Sequence, residues 1–594
     1  MIDRSTRLRW RRKLRRSQQQ VEDLGYQAED GLEKHLFRRL SRLAQVQRFL
    51  VSWVLLIVFM IGGVFVQARA LGANYLEPRP TKGGIFTEGI LGSFTNASPL
   101  YAASSVDNSV ERLVFSGLFK FNQKNQLEGE IASGWTVDER GTTYTVKLRK
   151  NVTWHDGKPL TADDVAFTYA LIQNPDAKSP LASSWQGITV TAVDPGTVTF
   201  KLPSLLSAFP YSMVNGIVPK HILKGVPAAQ LRSVPFNTNK PVGTGPFKWE
   251  AIEVSGDTPE DRQQRIALIP NDSYVSGVPK LDKYIVRTFQ QEKDLIEAFK
   301  KREINAAAGL TSMPEDFKDD LSIRDYNIPL SSQVMVFFKT NGDILKEPKV
   351  RQALSYGLDT AQVLTQIGRP VLPSNSPLLR GQLGYDPSVV QRTNNLDIAN
   401  KLLDEAGWKM GDNNFRYKDK VKLSYILTTQ DTSSYKIVAD ELKKQWAKIG
   451  VDVTIAPQKD DELQSLIAQH SYDALLYGIS IGPDPDVFAY WHSSQADLRS
   501  PNHLNFSKYT SVQADKALEA GRTRSEDTAR TIKYKSFLEA WISDAPAVSL
   551  YQPRYLYVVR DPLFNFNQEV MNNGADRLNN VDNWMIRETN QPKI

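Results

Sequence analysis

The sequence predicts a mixed α/β chain with α+β elements: a single membrane-crossing helix, then a block rich in antiparallel strands, then a lobe of α/β type. Three observations predict it. Phe49 to Val66 is an uninterrupted run of 18 residues without a charge. Thr142 to Leu148 alternates polar and apolar, and Asp194-Pro195-Gly196 sits between two further alternating runs, as in an antiparallel hairpin. Val421 to Ala456 reads strand, amphipathic helix, strand, which implies parallel strands joined by a right-handed crossover.

The apolar run divides two pieces of different charge. At about 1.5 Å of rise per residue it spans about 27 Å, the thickness of a bilayer's hydrocarbon core, and a helix satisfies its own backbone hydrogen bonds there. Residues 1–48 hold 13 Lys and Arg against 6 Asp and Glu, a net of +7. The whole chain is also +7, so the 60 basic and 60 acidic residues that follow cancel. The high pI therefore belongs to the tail and gives no reason to assign nucleic-acid binding to the large part. Clusters at Arg7–Arg16 and Arg38–Arg48 precede the run, while Gln67–Pro80 beyond it carries only Arg69, Arg79 and Glu77. The positive-inside rule then predicts a cytoplasmic N-terminus and an extracellular or periplasmic C-terminal part. The basic tail is expected to lie against anionic lipid, nucleic acid being the weaker alternative.

The run is read as a retained anchor, residues 49–66. Its rival is a signal core cut after Ala68-Arg69-Ala70; 18 apolar residues behind a 48-residue leader exceed the usual dimensions of such a core. Arg11-Arg12 lies too far from the run for twin-arginine export. With no cysteine in the chain, lipid attachment through an N-terminal Cys, disulfides and thiolate chemistry are excluded.

Residues 67–82, with Pro78 and Pro80, read as a linker. In the first block, Thr161 caps a helix with Asp164 three residues on and a stripe of Val165, Tyr169 and Ile172. After about Gln290 the pattern changes. Pro348 opens a helix with Val350, Ala353, Leu354 and Gly357 on one face, and Leu396–Ala406 is a helix closed by Gly407. Val421–Thr428, Ser434–Ile449 and Val451–Ala456 form the strand–helix–strand unit. Ala529–Ile542 is helical, and Val548–Tyr551 and Tyr555–Val559 are apolar strands that return toward the first lobe.

No catalytic arrangement is convincing, and the chain is read as a non-enzyme. Gly478-Ile479-Ser480-Ile481-Gly482 matches G-x-S-x-G, but Pro483 and Pro485 oppose the helix that a nucleophile elbow requires. The six histidines show no H-E-x-x-H, so no metal site or cofactor is expected. Gly243-Thr244-Gly245-Pro246 lacks a Walker lysine, and Asp163-Asp164 and Asp319-Asp320 suit helix starts. Binding remains. Tyr472–Trp491 combines an apolar strand, a Gly/Pro/Asp loop and Phe488, Tyr490 and Trp491, and loops at strand ends are where α/β folds place ligands.

Several segments together resemble the extracellular solute-binding proteins of family 5, the oligopeptide, dipeptide and nickel-binding receptors of ABC importers. They are Leu118-Phe119 with Trp135, Val152 to Tyr169 (VTWHDGKPLTADDVAFTY), Pro241 to Phe247 (PVGTGPF), Val350 to Leu354 (VRQAL), Leu402 to Trp408 (LLDEAGW) and Asp484-Pro485-Asp486. The resemblance covers about 83–587. It implies a two-lobed periplasmic-binding-protein-like fold of type II with an extra subdomain in lobe one. It assigns lobe I to 83–289 (insert about 115–240), lobe II to 290–545 and a return to lobe I over 546–594, with crossings near Thr288–Gln290 and Ala545–Ser549.

The resemblance further implies a peptide or other small solute held between the lobes, and ABC permease and ATPase subunits as partners. Peptide-binding members carry a tryptophan and, three residues on, an aspartate for the ligand's amino group; here Ile479 and Gly482 stand in those slots, and the loop is one residue shorter. A buried ammonium without a counter-charge costs several kcal/mol, so a non-peptide or N-blocked ligand is an equal alternative unless Asp484 substitutes. The expected ligand contacts are Glu88, Ile90 and Phe94 in lobe one, Phe338 and Asn341 in lobe two, and Tyr477, Ser480, Asp484 and Trp491 around the loop. The rival function is a membrane-tethered sensor or scaffold that keeps the fold without transport.

Overall fold

The computed structural model describes residues 47–258, 261–500 and 503–592. The chain divides into two units, Pro80–Arg587 and the segments Met1–Arg79 with Glu588–Ile594. In the smaller unit, α1 (Gln47–Tyr75) contains Phe49–Arg69, a stretch of mean hydropathy 2.7 that is long and apolar enough to cross a membrane. The basic tail lies outside the described residues. The segment read as a linker has regular structure: α1 runs through Ala68–Ala70 to Tyr75 and passes directly into β1 (Leu76–Thr81), which pairs with β24 (Arg587–Pro592). Pro78 and Pro80 are compatible with this because a two-stranded ribbon consists only of edges, where a missing N–H costs little.

The larger unit has two lobes, each built on its own sheet. Lobe I begins with β2 (Ile85–Leu91), the centre of a seven-stranded sheet that also holds β9 (Phe247–Ser255), β10 (Gln263–Pro270), β11 (Lys283–Phe289), β12 (Ala306–Ala308), β13 (Ile323–Pro329) and β23 (Arg554–Arg560). One face packs against α4 (Glu292–Lys300) through Leu295, Phe299, Val558 and Leu556. The other carries the larger core, with α2 (Ser105–Val114) and the segment inserted between β2 and β9.

That insert contains the predicted antiparallel sheet, ordered β5 (Ala132–Val137), β6 (Thr143–Leu148), β8 (Thr197–Lys201), β7 (Thr189–Asp194). Its helix α3 (Ala162–Gln173) starts with a capping box in which Asp164 accepts the Thr161 N–H at 2.9 Å. The two family motifs of this region meet. The Gly243 N–H donates to His155 Nδ1 at 3.3 Å, leaving Nε2 to donate to the Gly245 carbonyl at 3.1 Å. Burial pushes the His155 imidazole down to about 4, so it stays neutral and joins two segments 88 residues apart.

Lobe II is a six-stranded sheet of order β15 (Leu372–Pro373), β22 (Ala547–Gln552), β14 (Ser332–Phe338), β21 (Ala474–Ser480), β19 (Ser424–Gln430), β20 (Asp452–Gln458). Strands β19 and β20 are parallel and joined by α7 (Ser433–Ala447), as the strand–helix–strand pattern predicts. One face buries Trp446 and Leu442 of α7 with α5 (Pro348–Tyr356) and α6 (Leu396–Glu405); the other buries Trp491, Phe337 and Trp541 under α10 (Asp527–Asp544).

The expected crossings and lobe limits require correction. The chain leaves the lobe I sheet after β13 and enters lobe II through Leu330–Ser331, about 40 residues later than Thr288–Gln290. It returns through Pro553, after β22, rather than at Ala545–Ser549. The change of pattern after Gln290 is α4, which covers lobe I itself, and β22 is a lobe II strand whose apolar run resembles its lobe I neighbour β23.

Candidate functional site

Two short crossings side by side form a hinge. The Leu330 N–H donates to the Pro553 carbonyl at 3.0 Å, and Gln552 Nε2 donates to the Leu330 carbonyl at 2.9 Å. Ser331 ties this hinge to three segments. Its N–H donates to Met571 O at 2.7 Å, its hydroxyl accepts from Asn125 Nδ2 at 3.1 Å, and its carbonyl accepts the N–H groups of Ile481 and Gly482 at 2.9 and 3.1 Å. Asn125 and Asn572 exchange side-chain hydrogen bonds of 2.9 and 2.7 Å beside it. Gly482 turns the loop with φ of +76°, a left-handed conformation that glycine adopts without strain.

From this hinge β21 presents an edge. Strand β14 pairs with it along its whole length, Ser332 opposite Ser480 to Phe338 opposite Ala474. On its other side β19 pairs only with Ala474–Leu476, so Tyr477–Ser480 has no strand neighbour there among the described residues. Tyr435 stands beside this edge and accepts a hydrogen bond from the Gly478 N–H. Tyr490 donates to the Ser480 carbonyl at 2.7 Å, and burial pushes its phenol up to about 12. Tyr477 accepts from Gln464 Nε2 at 3.3 Å.

The acidic loop after β21 is neutralised within lobe II. Asp484 is buried and forms a two-pronged pair with Arg530 Nη2 at 2.7 and 2.9 Å, while Arg530 Nε donates to Gly521 O. Burial opposes the Arg530 charge, but the bonds and charge of Asp484 outweigh it, and the guanidinium is held further above its ordinary range. Asp486 pairs with Arg522 at 3.1 Å; burial pushes its carboxyl up and Arg522 partly offsets this. Lobe I meets the segment that supplies Arg522. The backbone N–H of Ser207 donates to Arg522 O at 3.0 Å, and its hydroxyl donates to the carbonyls of Arg522 and Arg524. Tyr211, stacked on Phe121 at 6.2 Å, has its phenol raised by burial and by the charge of Asp484.

The structure places Tyr477 and Ser480 on β21, Asp484 on the loop after it and Trp491 at the end of the short helix Phe488–Trp491; only Ser480 is exposed and Tyr477 half-buried. Trp491 lies in the core, stacked on Phe337 at 5.7 Å. Phe338 is also core, and Asn341 lies in the turn beyond the end of β14 remote from the hinge, the strand Ser332–Phe338 itself spanning about 20 Å. In lobe I, Ile90 and Phe94 point into the main core, and Glu88 is buried in an ion pair with Arg577 at 2.8 and 2.6 Å, with Tyr284 donating at 2.9 Å. On the strands, alternation turns Glu88, Ile90 and Phe338 inward, and sequence distance hides the partners of the buried acids, 489 residues away for Glu88 and 46 for Asp484. Arg530, Arg522, Tyr211, Ser331 and Tyr435 are the residues that sequence reasoning missed; no periodicity or motif marks them. Ser480 ends β21 with no helix following, and His492 bonds Ser494 and Glu519 instead of it. Among the described residues no group of three or more His, Cys, Asp and Glu is arranged to hold a metal.

Two sheets, two crossings and a strand edge facing the hinge define a two-lobed binding protein. The family model of bacterial extracellular solute-binding proteins, family 5 (middle region), matches residues 126–499, and the chain belongs to that family. The oligopeptide-binding protein AppA of Bacillus subtilis is 27% identical over 564 residues, covering 91% of this chain and all of the relative. Its structure in complex with a nonapeptide superimposes with a TM-score of 0.69 at 26% identity, covering 86% of this chain and all of that one. NikZ of Campylobacter jejuni, solved with Ni(L-His), superimposes with a TM-score of 0.70 at 25% identity over 84% of this chain and 99% of that one.

Proposed function

We propose that this chain is the membrane-anchored, extracellular or periplasmic receptor of an ABC importer, which captures a peptide or peptide-like solute between its lobes and delivers it to the permease. The observation that carries the reading is the stretch Tyr477–Ser480 beside the hinge, which has no strand neighbour on one side among the described residues; an extended ligand adds a strand there, taking the place of Tyr435 on the Gly478 N–H and of Tyr490 on the Ser480 carbonyl, and draws lobe I toward it. The peptide bound by the B. subtilis relative supports this choice of ligand. Tyr477, Ser480, Tyr435 and, from lobe I, Tyr211 are its proposed contacts. Asp484 is already paired with Arg530 and Gly482 carries no charge, so the ligand's amino end is blocked or lies outside this loop.

Anchoring is supported by α1, whose 29 residues run unbroken across Ala68-Arg69-Ala70. The basic tail then lies in the cytoplasm against anionic lipid, with the lobes outside. A tail of net +7, which solute capture does not require, favours the sensor or scaffold as second reading. Recovery of a permease and an ATPase with the full chain from mild detergent supports import; their absence across several detergents supports the scaffold. Native mass spectrometry of the same preparation tests capture: a released solute supports it, and no solute together with no thermal shift by a peptide library contradicts it. N-terminal sequencing that begins at Leu71 contradicts the anchor.

A further inference from the structure

The carbonyls in the last turn of a helix have no partner inside it, so each must find a donor elsewhere. In lobe II the end of α9 (Val512–Arg522) meets this requirement from within its own lobe at every carbonyl but one. Glu519 O accepts the Thr523 N–H at 3.2 Å, Ala520 O accepts Arg524 Nη1 at 2.7 Å, and Gly521 O accepts Arg530 Nε at 3.1 Å. The exception is Arg522 O, whose partner is Ser207 of lobe I. Ser207 donates its N–H to this oxygen at 3.0 Å and its hydroxyl at 2.9 Å, and shares the hydroxyl with the Arg524 carbonyl. Each side of the contact is held by its own lobe. Ser207 follows β8 in the insert, and nearby Phe209 is buried in the main core of lobe I against Tyr144 at 4.8 Å and Trp185 at 5.8 Å. Opposite it, Arg522 pairs with Asp486 at 3.1 Å and lies over the Phe488 ring at 4.1 Å. Neither segment belongs to the crossings at Leu330–Ser331 and Pro553, so rotation of the lobes about those crossings separates Ser207 from α9.

We infer that Ser207 is a latch between the lobes: it caps α9 from the opposite lobe and so favours the closed receptor without touching the solute. The inference rests on the solute-receptor reading above, and it gives the insert of lobe I a task other than ligand contact. Opening hands the Arg522 and Arg524 carbonyls to water, and closure returns them to a protein donor. The net worth of such a hydroxyl bond corresponds to a factor of about three to ten in the ratio of closed to open receptor. While the open form predominates without ligand, the same factor multiplies the affinity of every solute that closes the lobes, whatever its sequence. Ser207 is thus a positioning residue, acting on the angle between the lobes. It sets how tightly the receptor holds its solutes as a group and leaves the choice among them to the cleft.

The test uses the full chain in nanodiscs, with a donor and an acceptor dye on Val193→Cys of lobe I and Ile437→Cys of lobe II, both exposed positions in a chain without cysteine. Single-molecule energy transfer reads the ratio of closed to open receptor during titration with two probes, a pool of N-acetylated tetrapeptides and a pool of N-acetylated nonapeptides. Ser207→Ala removes the hydroxyl and keeps the N–H. The expected result is that its affinity for both pools falls by one common factor of about three to ten, through faster dissociation, while the unliganded melting temperature stays close to wild type. Ser207→Thr keeps a hydroxyl donor and is expected to restore wild-type affinity. If its added methyl lowers the melting temperature, Ser207→Ala decides alone. Wild-type affinity and closing ratio in Ser207→Ala overturn the inference and leave the receptor reading standing. A loss confined to one pool makes Ser207 a contact of the solute and overturns the latch as well. Silence of both pools toward the wild type overturns the receptor reading and this inference with it.

Discussion

The Asp484–Arg530 pair shows what one buried charge requires of its neighbours. Arg530→Met leaves Asp484 enclosed without its counter-ion and is expected to lower stability by about 3–5 kcal/mol in chemical denaturation, with much of the loss recovered on adding Asp484→Asn. The glycines of the PVGTGPF motif act sterically. A Cβ on Gly243 would stand 1.9 Å from the Val114 carbonyl oxygen, so Gly243→Ala is expected to destabilise by about 2 kcal/mol or more, read as a fall in denaturation midpoint. Glu111 makes stability depend on pH. Burial pushes its carboxyl up to about 7 from an ordinary 4.5, with Arg112 opposing and Glu130 and Asp576 assisting the shift. Between those values the folded state holds a proton that the unfolded chain has released, so stability falls as pH rises from 4.5 to 7. Glu111→Gln is expected to flatten that slope, by about 1–2 kcal/mol after discounting for partial exposure; an unchanged slope contradicts the assignment.

At the scale of elements, local chemistry was readable where the chain declares it locally. The Thr161 cap, the Asp194-Pro195-Gly196 hairpin and the parallel pair β19–β20 all follow from spacing and turn residues a few positions apart. The crossings were not readable, because a strand's alternation is the same whichever sheet it joins, and β22 and β23 are both short apolar runs. The proposed site was legible only as a stretch: Tyr472–Trp491 contains the strand edge beside the crossings, but which side chains face outward depends on partners such as Arg530 and Ser331 that the sequence keeps far away. The ribbon β1–β24 carries its own prediction. Deleting 587–594 is expected to raise amide exchange over Leu76–Thr81 about tenfold or more, since those N–H groups lose their strand partner; unchanged exchange contradicts the pairing.

For the whole molecule, the hinge limits what moves. Only Leu330–Ser331 and Pro553 join the two sheets covalently, and each lobe keeps its own cores, which packed interiors preserve as rigid bodies. A ligand that touches both lobes therefore acts on one coordinate, the angle between them. The chain has no cysteine, so single cysteines at exposed Val193 on lobe I and Ile437 on lobe II would carry the only two spin labels. The direct measurement is the distance distribution between these labels by pulsed electron resonance, on the full chain in nanodiscs, with and without the peptide pool that raises its melting temperature. Closure on a solute predicts that the pool shortens and narrows the distribution; the same distribution in both samples, with the pool bound, would contradict it.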